Sequence, residues 1–303
     1  MMSMKSQERR WALPQYETVE RFVMRVLFAL VVWLHIPRSL AHIEITAPHG
    51  IARLFDLRFL LDPQVFAVAQ YAMWIALLLY VARVGWAVVL PYLAVLSVLV
   101  GTLSNSRGGI GHNLQIVSLV LCAQTAAHFW HVFRTRAAGA RDGRAAEDRV
   151  IWWSQEAIVA TYFVSGLTKL IRSSGMWVFE SPLIAAQIVK SNEQFYYNRL
   201  EAPPDRFGAA SAEWMAQHPL IVGAVLSIGL LLELTAPLAL FGRRAALGYG
   251  LALVLFHATV HRVMKLDFAF NSYLLWIYLV NVPFWVLLAA RAIQRRESPA
   301  PRP

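Results

Sequence analysis

Residues 161–179, TYFVSGLTKLIRSSGMWVF, read as the end of an apolar helix that carries one ammonium group, Lys169, on its last turns. A lysine in an apolar span costs free energy unless it is paired, extends to the membrane interface, or is kept neutral for chemistry. This segment alone leaves all three explanations open. The role of Lys169 therefore depends on which other polar residues the chain brings near it.

The composition places the chain in a membrane. Of its 303 residues, 58% are hydrophobic and only 15% are charged, which is more apolar surface than a soluble domain can bury. The single cysteine, Cys122, excludes a disulfide framework and a cysteine-based zinc or iron–sulfur site. The net charge of +10 comes from basic residues in short loops, a pattern that indicates topology and contact with anionic lipid and does not indicate nucleic-acid binding.

The apolar segments predict an all-α fold, a polytopic transmembrane helical bundle of about eight spans. A polar basic N-terminal segment, 1–20, is expected to be retained, and a basic tail, 291–303, follows the membrane domain of 21–290. Residues 134–149 are predicted to be a solvated loop, and 172–218, between spans five and six, to contain interfacial helices. The predicted spans are 21–36, 63–82, 86–103, 112–133, 150–171, 219–241, 245–264 and 268–290.

The distribution of basic residues predicts the orientation. Lysine and arginine concentrate in the tails and in the short loops on one side, while most acidic residues fall on the other. The positive-inside rule then predicts cytoplasmic N- and C-termini. We expect the membrane to be a bacterial inner membrane. With this topology His112, Lys169, His257 and His261 fall in the outer half of the bilayer, as a shared pocket would require.

Each polar residue in the spans also has a simple structural explanation. His257 and His261, four apart on one helical face, could bind a metal, but a lone pair without a third ligand predicts no metal site. Glu233, near Pro237, is explained equally well by a structural hydrogen bond or by a functional role. Lys169 is also explained by extension to the lipid headgroups beside Arg172.

Several short motifs resemble the vitamin K-dependent γ-carboxylase family, and more closely the horizontally transferred transmembrane (HTTM) domain proteins related to it. The resemblance covers about residues 21–285, and its specificity comes from the order and spacing of the motifs. They are Tyr162-Phe163 with Gly166-Leu167 and Lys169-Leu170, then Trp177, Gly111-His112-Asn113, Glu233 with Pro237, Phe256-His257 and Phe270-Asn271.

The resemblance implies a site and a cofactor. In the carboxylase a lysine at the position of Lys169 deprotonates vitamin K hydroquinone, whose anion reacts with O₂ and so drives removal of a glutamate γ-proton before CO₂ adds. Lys169, His257 and His112 would be catalytic, and a vitamin K-like quinol would be the cofactor, with no metal. The residues implied to bind the quinone are Tyr162, Trp177, Glu233, His261 and Asn271.

Two differences from the carboxylases argue against peptide carboxylation here. The carboxylases have a lysine pair where this chain has Thr168-Lys169, and they carry a large C-terminal region where this chain has residues 291–303. One hypothesis is therefore an enzyme with carboxylase- or oxidoreductase-like, lyase-type chemistry, in which Lys169 is the general base on a quinol or another lipophilic substrate. The alternative is a non-catalytic membrane protein that binds membrane lipid, a lipophilic small molecule or another membrane protein. A transporter is disfavoured because no internal repeat is evident.

Overall fold

The structure is helical, as predicted. The computed structural model describes residues 14–109, 111, 113–138, 143–200 and 208–297, and no β-strand occurs within those ranges. The α-helices are α1 Thr18–His35, α2 Pro63–Ala82, α3 Trp86–Asn105, α4 Gln115–Ala138, α5 Gly143–Arg172, α6 Ser181–Arg199, α7 Ala209–Gln217, α8 Pro219–Leu234, α9 Arg243–Met264, α10 Ala269–Leu274 and α11 Val282–Glu297. Short 3₁₀ helices occupy Gly50–Arg53, Arg58–Leu61, Trp177–Glu180 and Ala236–Phe241, and a π-helical turn, Leu275–Val280, extends α10.

Several helices have the length and composition of membrane spans. Among the described residues, α2, α3, α4 and α9 could each cross a membrane, and the number rises to six if each of two bent helix pairs is one span. All eight predicted segments contain helix, but α1 and α5 are not among these candidates. Because α1 is only 18 residues long and includes Glu20, Arg21 and Arg25, it has too many charges for its length. The chain is a multi-pass helical membrane protein, and eight spans remain a prediction.

The helices form two compact units. The first comprises Met1–Ala157 with Asn281–Pro303, and the second comprises Ile158–Val280, so that α5 runs through the boundary. In the first unit α3 packs between α2 and α4, and α1 packs against α2, α4 and α11. A buried chain of hydrogen bonds joins three of its helices: the Tyr80 hydroxyl donates to Gln124 at 3.1 Å, and the Gln124 amide donates to Ser154 at 3.1 Å. Such polar links hold helices together where apolar surface alone provides little specificity.

A buried ion cluster lies in the first unit, where the sequence predicted a solvated loop. Residues 134–138 continue α4 and residues 143–149 begin α5, while 139–142 lie outside the described residues. The Glu147 side chain is only 2% exposed, and Arg21, Arg25 and Arg83 converge on it. The loop prediction was wrong for the start of α5 because it counted charges without considering that arginines from two other helices could neutralise them.

The second unit is built around α9. This helix packs against the π-helical turn Leu275–Val280 and the 3₁₀ helix Ala236–Phe241, and it also contacts α6 and α8. Gly250 lets α9 lie close to the π-helical turn, because a Cβ atom at this position would lie 3.0 Å from the backbone nitrogen of Val280. The α8 helix ends at Leu234, and Pro237 lies in the first turn of the following 3₁₀ helix. Glu233 is therefore in the last turn of α8, where the proline interrupts regular α-helix.

The segment between predicted spans five and six contains two helices, α6 and α7. The α6 helix packs against α7, α8 and α9, and Asn192 on its buried face donates to the carbonyl of Val263 at 3.1 Å. The α7 helix meets α8 at an angle of 101°. The position of these helices on the membrane surface stays a prediction, and residues 201–207 lie outside the described residues.

The start of α2 supplies a test of local stability. The Asp62 carboxylate caps this helix by accepting hydrogen bonds from the backbone nitrogens of Gln64 at 2.8 Å and Val65 at 3.1 Å, and Pro63 occupies the first turn. Asp62→Ala should cost about 1 kcal/mol, because it leaves these two donors without their side-chain acceptor. Urea unfolding in detergent micelles measures the loss, and Asp62→Asn should retain most of the stability. Equal losses in both variants would contradict the capping role.

Candidate active site

Lys169 is paired with Glu233. Its Nζ atom lies 2.6 Å from both carboxylate oxygens of Glu233, which joins the last turns of α5 to the last turn of α8. The lysine side chain keeps 26% of its surface exposed, whereas that of the glutamate keeps only 6%. Ser165, one turn earlier on α5, places its hydroxyl 3.5 Å from the same carboxylate. Pairing with a carboxylate is therefore the explanation of Lys169 that the structure displays.

Gly166 makes this pairing possible. A Cβ atom at position 166 would lie 3.1 Å from Cβ of Glu233 and 3.1 Å from Cδ2 of Leu234. This spacing is tighter than an ordinary contact, so a side chain at this position would push α5 away from α8. Gly166 therefore lets α5 approach α8 closely, which brings Lys169 within hydrogen-bond distance of Glu233.

A cleft of about 480 Å³ opens beside Lys169. One face of α5 forms most of its wall, because residues three and four apart lie on the same side of a helix. Its volume lies within the range of about 300–1,000 Å³ that small-molecule sites occupy. The lining residues are Thr161, Val164, Ser165, Thr168, Lys169, Arg172, Ser173, Trp177 and Glu180.

Trp177 closes one side of the site. Ser174 and Gly175 both adopt left-handed backbone conformations, with φ of 51° and 82°, and end α5 in a tight turn. The 3₁₀ helix Trp177–Glu180 follows directly, and the Lys169 Nζ atom lies 4.9 Å from the centroid of the Trp177 ring. The ammonium group is thus held between a carboxylate and an aromatic face.

A second polar pair lies two turns earlier on α5. The hydroxyl of Tyr162 and Nε2 of His257 are 2.6 Å apart, and both residues are at least 95% buried, with relative exposures of 4% and 4%. The His257 ring stacks on Phe268 with centroids 4.6 Å apart. Asn271, which is also buried, interacts with the same tyrosine. Because Tyr162 and Lys169 are seven residues apart, they lie on one face of α5.

Six of the predicted site residues form two clusters. Lys169, Glu233 and Trp177 form one cluster, and Tyr162, His257 and Asn271 form a second. His261 belongs to neither cluster. It is exposed near the end of α9, and its Nδ1 lies 3.1 Å from the carbonyl of Leu266. His112 lies outside the described residues. Within the described part of the chain no three His, Cys, Asp or Glu side chains come together as a metal site.

Sequence reasoning singled out Lys169 and Glu233 separately and missed their pairing. The available signal was that Glu233 is the only ionisable residue of the predicted span 219–241 and Lys169 the only lysine of 150–171, so each needed a partner. It likewise missed the Tyr162–His257 hydrogen bond, because a tyrosine in an apolar helix gives no indication of its partner.

The fold and composition define the class: a polytopic helical membrane protein with a cleft along one helix. Comparison with protein-family models, with curated proteins and with solved structures finds no match for this chain. The resemblance to HTTM proteins stays a prediction.

Proposed function

We propose that the protein is a membrane enzyme in which Lys169 takes a proton from the hydroxyl group of a lipophilic substrate of the quinol class. The observation that carries this proposal is the position of the lysine amine, which lies between a buried carboxylate and a cleft. The amine is 2.6 Å from Glu233 on one side, and its side chain lines the cleft on the other. A substrate hydroxyl in the cleft would therefore reach a base that a second group already holds in place.

Glu233 gives the lysine a way to act as a base. An ammonium group has no lone pair, so Lys169 must first lose a proton. The Glu233 side chain is only 6% exposed, and a buried carboxylate loses hydration, which brings the neutral amine and the neutral carboxyl closer in free energy to the charged pair. One proton of the ammonium group can then move to the carboxylate oxygen 2.6 Å away.

The proton transfer from the substrate then balances. The substrate O–H bond breaks, an N–H bond forms on Lys169, and the proton released earlier stays on Glu233. The new ammonium group stabilises the substrate anion beside it.

The lining of the cleft fits an aromatic hydroxyl compound. Trp177 offers a flat ring, and Thr161, Ser165 and Thr168 provide hydroxyl groups along the α5 wall. A bound quinol would supply an acidic hydroxyl group and a ring that can be oxidised. Tyr162 and His257 would support α5 beneath the cleft. The catalytic role predicted for His257 and the quinone-binding role predicted for Tyr162 remain part of this proposal.

A second candidate is a non-catalytic membrane protein that binds a lipophilic molecule or a partner. The observation that favours it is the two-oxygen contact of Glu233 with Lys169, which neutralises both charges and ties α5 to α8 at Gly166. In this case the pair stabilises the helix packing and transfers no proton.

Ionisation of a bound naphthoquinol separates the two candidates. The protein in lipid nanodiscs is titrated without oxygen with 2-methyl-1,4-naphthoquinol, whose ionised form absorbs at longer wavelength than the neutral form. Wild type should ionise the bound probe at a pH at least one unit below that of free probe, about a tenfold shift in the equilibrium. The double variant K169M/E233Q, which leaves no unpaired charge, should bind the probe but not ionise it.

The controls distinguish loss of the base from loss of the fold. Lys190→Met removes an exposed lysine on α6 and should leave the ionisation unchanged. If the folded double variant ionised the probe as well as wild type does, Lys169 would not be the base. If wild type binds the probe without ionising it, the non-catalytic candidate is the better description.

A further inference from the structure

We infer that the rim of the cleft, formed by Arg172, Trp177 and Glu180, binds the headgroup of a zwitterionic aminophospholipid. This goes beyond the proposed proton transfer and does not depend on it, since Lys169 and Glu233 take no part. The ligand would be a membrane lipid that carries a phosphate and a primary ammonium, such as phosphatidylethanolamine.

The rim has two opposite charges that no described residue neutralises. Arg172, the last residue of α5, and Glu180, immediately before α6, both line the cleft and both are exposed. Neither forms a salt bridge or a side-chain hydrogen bond with any described residue, and Glu180 makes no side-chain cap to α6. The other cation and the other carboxylate nearby, Lys169 and Glu233, already neutralise each other.

These two charges match the two charges of an aminophospholipid headgroup. An arginine binds phosphate oxygens with two parallel hydrogen bonds, and a carboxylate accepts from an ammonium. Trp177 lines the same cleft, and its ring already attracts one cation, the Lys169 ammonium at 4.9 Å. An anionic lipid such as phosphatidylglycerol would satisfy the arginine but would leave Glu180 without a cation.

The surroundings of the rim suit the acyl chains of a lipid. Ile171 is 68% exposed, Met176 is 52% exposed and Phe179 is 73% exposed, and these apolar residues flank the charged ones in sequence. Exposed apolar side chains next to an arginine and a tryptophan are typical of the interface region of a membrane. The segment therefore offers hydrocarbon contact and headgroup contact within ten residues, 171–180.

Lipid competition tests this site. Wild type and variants are placed in nanodiscs of equimolar phosphatidylethanolamine and phosphatidylglycerol, extracted gently, and analysed by native mass spectrometry for the lipid that they retain. Wild type should retain phosphatidylethanolamine preferentially. Glu180→Gln should lower the ratio of retained phosphatidylethanolamine to phosphatidylglycerol by roughly tenfold, since it removes the partner of the ammonium. Arg172→Gln should reduce the retention of both lipids, because both carry the phosphate.

The matched controls are Arg262→Gln and Glu193→Gln, exposed charges on α9 and α6 that do not line the cleft. Both should keep the wild-type ratio, and so should K169M/E233Q, which separates this site from the proposed proton transfer. An unchanged ratio in Glu180→Gln would overturn the inference. So would retention of no lipid by wild type, or its preference for phosphatidylglycerol, which would indicate a simple anion contact at Arg172.

Discussion

Lys169→Met should destabilise the protein by about 3–5 kcal/mol, because it leaves the Glu233 carboxylate buried without its counter-charge. The carboxylate side chain is 6% exposed, and the ammonium lies 2.6 Å from both of its oxygens. The reverse change, Glu233→Gln, should cost less, about 3 kcal/mol or below, because the lysine side chain is 26% exposed and can reorient towards water. Thermal unfolding in detergent, followed by circular dichroism, measures both losses.

The double variant K169M/E233Q closes a double-mutant cycle. It removes both charges at once, so it should be more stable than Lys169→Met alone and should approach wild type, because replacing a buried ion pair by neutral groups is often nearly neutral in free energy. Additive losses would show that the two side chains do not interact as a pair. Lys190→Met, an exposed lysine on α6, is the matched control and should change the unfolding midpoint little.

Hydrophobic pattern was sufficient to predict the helices. The predicted span 63–82 coincides with α2, and the predicted spans 86–103 and 245–264 differ from α3 and α9 by about two residues at one end. Each of these helices contains a long apolar run with turn residues at its limits, so local sequence determines their bounds. The span count is less predictable, because α1 and α5 mix apolar residues with charges whose partners lie far along the chain.

The candidate site was predictable as a set of residues but not as an arrangement. Lys169, Glu233 and His257 could be singled out because an ionisable residue in an apolar segment costs free energy unless it has a partner or a function. Which of them pair depends on how helices approach one another. Here that is decided by Gly166, which lets α5 meet α8, and by the left-handed turn at Ser174 and Gly175, which brings Trp177 to Lys169. No local pattern specifies such long-range contacts.

Glu147→Gln should cause a loss of similar size in the first unit, about 3–5 kcal/mol, since it removes the carboxylate that three arginines share. Arg21 lies 3.7 Å from it, Arg83 lies 3.2 Å from it, and Arg25 also forms a salt bridge with it. The side chains of Arg21 and Arg25 are only 7% and 11% exposed, so neither can recover full hydration after the change. In this variant Arg21 would still pair with Asp148 at 2.9 Å. Arg25 would lose its salt bridge to Glu147.

Arg83→Gln tests whether burial of the charges explains the large loss of stability expected for Glu147→Gln. Its side chain is 36% exposed, and exposed ion pairs contribute at most about 1 kcal/mol, so this variant should unfold close to wild type although it loses a salt bridge to the same carboxylate. The two variants are compared by thermal unfolding in detergent at low and at high salt. Salt should change the small Arg83→Gln effect more than the Glu147→Gln effect, because salt screens exposed charges and leaves buried ones largely unaffected. If Arg83→Gln were as damaging as Glu147→Gln, the stabilisation would come from the number of ion pairs and not from the neutralisation of buried arginines.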